Sequence, residues 1–331
     1  MNNVLNKIDS MNNLVELHMH LDGAISINNA KKLASLQGIN LPSDEEVIKL
    51  MQVSKDCHDL NEFLTKFDFP LSLMQTKESI ILAVKNLSDE LVSQGIMYAE
   101  IRFAPQLHTN KGLTQEEVIN AAIEGMKLSN LKSNLILCTM RGAANDKNIE
   151  TVRLAKKYLG KGVVAIDLAG AEGLYKTSEH KYIFDLAKEL NVPYTIHAGE
   201  ADGPSSVDSA ISFGTKRIGH GVRSSEDISI VNEIKNKDIT LEVCPTSNIC
   251  TSIYNKVGKM PIKLFMDNDI NITINTDDPS ICNTSLKEEL KKVASAFNLS
   301  YQDILKFEEN AVNASFADDE TKKELLNKIR N

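Results

Sequence analysis

The sequence predicts an α/β fold in which about eight strand–helix units close into a (β/α)8 barrel, with extra helices after the first strand and at the C-terminus. Three observations carry that prediction. Short β-branched runs alternate with longer segments of helical periodicity along the whole chain. The amphipathic segments between the runs are long enough for the crossovers that a parallel sheet requires. No linker, internal repeat or low-complexity segment divides the 331 residues, so residues 1–331 are read as one domain.

The strand candidates are Leu14–His18, Ile96–Phe103, Asn134–Arg141, Val163–Leu168, Val192–His197, Arg217–His220, Ile239–Val243 and Asn271–Asn275. Gln115–Leu128 and Ile149–Leu159 exemplify the helices expected between them. Nearly eighty residues separate the first two runs, too many for one helix, so several helices are expected over the top of the barrel. Within that insertion Leu60, Phe63, Leu64 and Phe67 follow i, i+3, i+4, i+7 spacing, which predicts one apolar helix face. Ser285–Phe297, Tyr301–Ala314 and Asp319–Ile329 read as terminal helices.

Composition narrows the functional class. Hydrophobic residues at 42% and charged residues at 25% are the balance of a chain with a sizeable core. A net charge of −8 argues against a surface that tracks nucleic-acid phosphates. No apolar run approaches the roughly 18 residues of a membrane span, and the N-terminus lacks the pattern of a secretory leader, so a cytoplasmic protein without membrane contact is expected. The five cysteines are odd in number and form no Cys-x-x-Cys pair, which favours reduced, buried thiols. No protein partner is implied.

Unusual polar residues cluster at the ends of the predicted strands. His18 and His20 follow the first, His197 and Glu200 the fifth, His220 the sixth, and Asp277 and Asp278 the eighth. In a barrel those ends converge on one face, where residues distant in sequence meet. His18 and His20 share a side because strand side chains alternate. Taken alone such a pair is more often two ordinary polar residues; convergence with His197 and one carboxylate from Asp277 makes an N3O set suited to zinc with an open position. Asp277 and Asp278 are consecutive, so in extended backbone only one is expected to reach the metal. Glu200, three residues past His197, is a candidate proton carrier provided burial raises its pKa. His220 lies between glycines in IGHG, which permit close backbone approach.

The succession VELHMHLDGA, EIRFAPQLH, IDLAGAEG, TIHAGEADG, RIGHGV, EVCPTSN and ITINTDDPS resembles the adenosine deaminase family of metal-dependent amidohydrolases, in order and over nearly the full length. The resemblance implies one Zn2+ per chain held by His18, His20, His197 and Asp277. It implies hydrolytic deamination of adenosine and deoxyadenosine, a purine-salvage reaction releasing ammonia. On this resemblance Glu200 would protonate the ring at N1, and His220 would orient and help to deprotonate the attacking water. His20, Asp22, Gly170 and Asp278 would contact the nucleoside, with Asp278 accepting a hydrogen bond at N7, the Gly170 N–H donating to N3 and Asp22 meeting the 5′-hydroxyl. Leu60, Phe63, Leu64 and Phe67 would form a hydrophobic gate. Departures are small: Met19 stands where Leu or Val is usual, and Ala171 where an acidic residue is common. Adenine deaminase is the nearest rival, but its Ile-Glu-Gly-Thr differs from Leu21-Asp22-Gly23-Ala24 here. A catalytically silent purine- or metal-binding barrel is the other alternative. Sequence assigns no role to Cys244–Asn248, Arg102 or Arg141.

Overall fold

The computed structural model describes residues 1–54 and 57–330. The β-branched runs form eight parallel strands: β1 (Leu14–His20), β2 (Ile96–Phe103), β3 (Lys132–Met140), β4 (Val163–Ala169), β5 (Ile196–Ala198), β6 (Arg217–His220), β7 (Thr240–Val243) and β8 (Ile272–Ile274). They pair in sequence order as two four-stranded sheets. Isolated bridges join the sheets at both seams, Ile166 with Tyr194 and Met19 with Asp277. The barrel expected from the alternation is therefore closed.

Six of the eight strands, β1, β3, β4, β5, β7 and β8, differ from expectation at one end or both, and the shifts of β1 and β5 bear on the site. β1 runs two residues further than Leu14–His18, so His20 lies within it as well as His18. β5 begins at Ile196 instead of Val192. The cause is local: Asn191 turns with φ +53°, and Pro193 has no N–H for a ladder. Pro193 O and Thr195 N bond instead to Ile166, which knits β4 to the approach of β5.

The insertion after β1 contains helices Ile27–Leu36, Asp44–Met51, Leu60–Leu64, Asp68–Leu73 and Lys77–Ser93. The apolar segment expected as one helix face is split, an α-helical Leu60–Leu64 passing into a 3-10 turn at Thr65–Phe67. Helices Gln115–Lys127 and Asn145–Tyr158 cross over outside the barrel, the second starting four residues before the expected Ile149. The terminal helices are Leu286–Phe297, Tyr301–Ala314 and Asp319–Arg330. A helix at Asn2–Asp9, which the polar N-terminal sequence does not announce, packs against the first two of these and buries Ile8. Among the described residues no helix is long and apolar enough to cross a membrane.

Five charged side chains from the strands are paired in one buried layer. Glu100, Arg102, Asp167, Arg217 and Glu242 are all buried there. Arg217 bonds Glu242 Oε1 at 2.6 Å and Glu100 Oε2 at 2.5 Å, and its guanidinium stacks 4.3 Å from the Phe316 ring. Buried charges persist only when partnered in this way.

Glu308, on helix Tyr301–Ala314, is buried without a cation and accepts the Val15 N–H at 2.7 Å. Burial pushes its carboxyl up to about 8. A folded-state pKa above the unfolded value means that its stabilising contribution is complete below about pH 4.5 and is lost as pH rises through about 8. Glu308→Gln keeps an acceptor for Val15 and removes the ionisation. Its unfolding free energy, measured by urea denaturation, is expected to gain on the parent protein by up to about 1.4 kcal/mol per pH unit across that window; a constant difference from pH 5 to 9 would contradict this.

Candidate active site

Glu16, across a register shift between Glu16 and Met19, lines a separate cavity with Met19, Leu87 and Leu91, whereas His18 and His20, two apart on β1, share a face and reach the C-terminal mouth of the barrel. β5 brings His197 there and β6 brings His220. Asp277 follows β8 with φ +62°, its N–H donating to His18 O at 2.8 Å and its carbonyl accepting the His20 N–H at 2.9 Å. That left-handed turn breaks strand alternation. Asp277 and Asp278, expected to point apart, consequently both line the same cavity. His220 also has a positive φ, +60°, and such conformations in non-glycine residues concentrate at functional sites. Gly219 lies beneath the His18 ring, where a Cβ would stand 2.8 Å from Cε1.

Four donor atoms converge at the mouth. His18 Nε2 is 3.0 Å from His197 Nε2 and 3.2 Å from Asp277 Oδ1, while His20 Nε2 is 3.2 Å from His197 Nε2 and 3.4 Å from Asp277 Oδ1. Ligands about 2.0–2.1 Å from one tetrahedral ion would stand roughly 3.3 Å apart. The groups behind the rings fix which nitrogens face each other. His18 Nδ1 meets Glu242 Oε2 at 2.7 Å and His197 Nδ1 meets Asp167 Oδ2 at 2.8 Å. Burial opposes ionisation of both carboxylates, but Arg217 and Arg102 hold Glu242 well below the usual range, and His197 and Arg102 do the same for Asp167. Ionised carboxylates only accept, so both Nδ1 atoms carry hydrogen. Burial lowers His197 to about 4. A neutral His197 therefore turns a bare Nε2 lone pair towards His18 Nε2. Such a concentration of donors suits a divalent cation, and these residues fit one.

Arg102, left without a role by the sequence, bridges both orienting carboxylates: Nη1 to Asp167 at 2.7 Å and Nη2 to Glu242 at 2.8 Å. Arg141 holds the His197 carbonyl at 2.6 Å together with Thr177 and the Tyr175 carbonyl. Asn248, from the unassigned CPTSN segment, places its side-chain amide 3.2 Å from His220 Nδ1 and so governs which ring nitrogen carries hydrogen. The sequence signal for all three was position at a strand end, which does not name a partner.

Beside the donors lies a cavity of about 350 Å³. It is lined by His20, Asp22, Gly170, His197, Glu200, His220, Asp277 and Asp278, and by all four predicted gate residues. Phe67 meets the His20 ring edge-on at 6.5 Å and Phe63 at 6.1 Å, so the gate packs directly over the donors. Small residues Ala104, Cys138 and Ala169 form part of the wall. Gly170 has φ +102° and leaves its side of the cavity open.

Buried polar atoms facing this space lack partners: Asp22 Oδ1, Asp278 Oδ1 and His220 Nε2. His220 Nε2 stands 3.7 Å from both Glu200 Oε2 and Asp277 Oδ2. Buried orphans of this kind mark the place of a polar ligand. Burial first, then the charges of Asp277 and Glu172, push Glu200 well above the usual carboxylate range. Burial and then Asp277 do the same to Asp278, and burial raises Asp22 to about 6. Burial thus favours the protonated forms of Glu200 and Asp278 beside the donor set, while Asp22 ionises above about pH 6.

A model of the adenosine deaminase family matches residues 13–331. A curated adenosine deaminase from Haemophilus ducreyi is 43% identical over 328 residues, covering 96% of this chain and 95% of the relative. Among solved structures, an adenine deaminase from Arthrobacter aurescens superposes with a TM-score of 0.85 at 25% identity, covering 96% of this chain and 98% of that one. An amidohydrolase from Burkholderia ambifaria, solved with bound Zn, has a TM-score of 0.84 at 19% identity and covers 94% of this chain and 87% of its own.

Glu242→Gln tests the orientation of His18 by its carboxylate. The variant is expected to bind divalent metal about 10–100-fold more weakly in a chelator competition; unchanged affinity would remove Glu242 from that role.

Proposed function

Because this chain belongs to the adenosine deaminase family, we propose that it hydrolyses adenosine and deoxyadenosine to inosine and deoxyinosine with release of ammonia, using one zinc ion held by His18, His20, His197 and Asp277. The observation that carries this reading is the neutral Glu200 acid beside four converging donor atoms in one cavity. When bound, zinc supplies Lewis-acid activation of water.

The residues of the chain account for the rest of the reaction. Water adds at C6 while Glu200 gives its proton to N1, which keeps negative charge from building on the ring. His220 Nε2, unpartnered between Glu200 and Asp277, faces the attacking water and orients it; it takes a proton from that water when the Asn248 amide is turned to set its oxygen, and not its NH2, against Nδ1. The C6–N bond breaks as the amino group takes the proton drawn from the water and leaves as ammonia, and the C6 hydroxyl proton returns to Glu200, which leaves the 6-oxopurine. N7 of a purine carries a lone pair, so Asp278 serves it as a donor in its neutral form, in place of the accepting role expected from the sequence. The Gly170 N–H donates to N3, and Asp22 meets the ribose 5′-hydroxyl. The Leu60, Phe63, Leu64 and Phe67 face covers the nucleoside and excludes water.

The cavity lining supports a nucleoside over a nucleotide. Its Arg141 is engaged by two carbonyls and Thr177. A 5′-phosphate finds no free cation among these lining residues.

Glu200→Gln is expected to retain metal and inosine binding but to lose roughly 10²–10⁴-fold in kcat for adenosine, read by the ultraviolet change on deamination. In the parent protein kcat should fall as rising pH ionises Glu200; a near-normal kcat in the variant would reassign the proton donor. Asp22 is tested separately through kcat/KM for adenosine and 5′-deoxyadenosine. Asp22→Ala should narrow the parent's preference for the hydroxylated substrate, because a buried acceptor no longer loses its partner. An unchanged ratio would leave Asp22 as a turn residue only.

A further inference from the structure

Glu172 follows β4 by three residues, at the edge of the barrel mouth, and is 1% exposed. Its carboxylate accepts five hydrogen bonds from one neighbouring segment. Oε1 takes Gly199 N–H at 2.7 Å and the Ser206 hydroxyl, and Oε2 takes the N–H groups of Glu200 at 2.9 Å, Ala201 at 2.7 Å and Asp202 at 2.9 Å. Four successive backbone N–H groups converging on one point form a concavity of the kind that binds anions. Here the anion is a side chain of the same protein.

We propose that Glu172 is a positioning residue for the proton donor, its carboxylate moulding residues 199–202 into the loop that aims Glu200 at the substrate; this rests on the deaminase reading above.

Glu200 is the second of the four residues whose N–H groups are held, so its backbone is fixed directly and through both neighbours. Gly199 enters the loop with φ +70°, and a Cβ there would stand 2.4 Å from Val207 Cγ2, so only glycine permits this path. The other side of the loop is also held, Arg223 Nη1 donating to Ala201 O at 2.7 Å. The Glu200 carboxyl itself faces the cavity, with His220 Nε2 3.7 Å away. The acceptor must be an ionised carboxylate because only its two oxygens offer about four lone-pair sites. A glutamine offers one oxygen and turns an NH2 towards groups that are themselves donors. Glu172→Gln therefore opens the loop while changing no atom of the cavity donors.

A misplacement of about 1 Å can cost on the order of 10²-fold in rate. Glu172→Gln is expected to lower kcat for adenosine by about that factor, with KM, bound divalent metal and inosine affinity near those of the parent. A double-mutant cycle with Glu200→Gln separates positioning from general stability. Once the donor is gone, its aim is irrelevant, so Glu172→Gln should cost little further kcat in that background. If Glu172→Gln fails to fold, Glu172→Asp replaces it, retaining the charge but reaching one methylene less far, with the same outcome expected. Equal kcat losses in the two backgrounds, or metal lost in step with kcat, would overturn the proposal. A parent protein inactive on adenosine would instead overturn the deaminase reading.

Discussion

The guanidinium of Arg102 is the contact on which the donor cluster depends. It bridges Asp167 and Glu242, and each of these carboxylates receives Nδ1 of one histidine whose Nε2 faces the mouth. One fixed cation thereby keeps two carboxylates ionised, and two ionised carboxylates fix two imidazole tautomers. Arg217 completes the layer by holding the second oxygen of Glu242 and pairing with Glu100 below. Desolvating so many charges is costly unless each is paired. The network is therefore an arrangement in which no member can be exchanged alone, and its rigidity passes directly to the rings above it.

Barrel closure and the site are made by the same atoms. The seam between β8 and β1 is closed by the backbone of Asp277, which bonds to both His18 and His20. Its left-handed conformation costs energy that these two bonds offset, and it swings the carboxylate toward the imidazoles. At the opposite seam, Pro193 and Thr195 tie β4 to β5 just below His197. Both joins lie close to donors, so spacing among the donors is set by how the two sheets meet.

The cavity walls divide the labour chemically. Apolar groups from the helical insertion cover one side, and carboxyls from the strand ends face them. Burial raises Glu200, Asp278 and Asp22 together, so desolvation favours protonated carboxyls here more than a solvent-exposed loop would.

The strand ends where His18, His20, His197, His220 and Asp277 fall were legible in the sequence, because period and barrel symmetry bring such positions to one face whatever the details of packing. So was the apolar spacing of Leu60 to Phe67, although its break into a 3-10 turn was not. The common orientation of Asp277 and Asp278 was hidden, since consecutive residues share a face only if the backbone leaves extended geometry. The partners of Arg102, Asn248 and Glu172 were hidden for a different reason. Arg102 finds Asp167 and Glu242 65 and 140 residues away, and Glu172 finds its donors from 27 to 34 residues on. Local pattern determines which residues reach the mouth of the barrel. Which buried charge meets which donor is decided only when the sheets close, because pairing inside a desolvated layer depends on distance across the barrel and not along the chain.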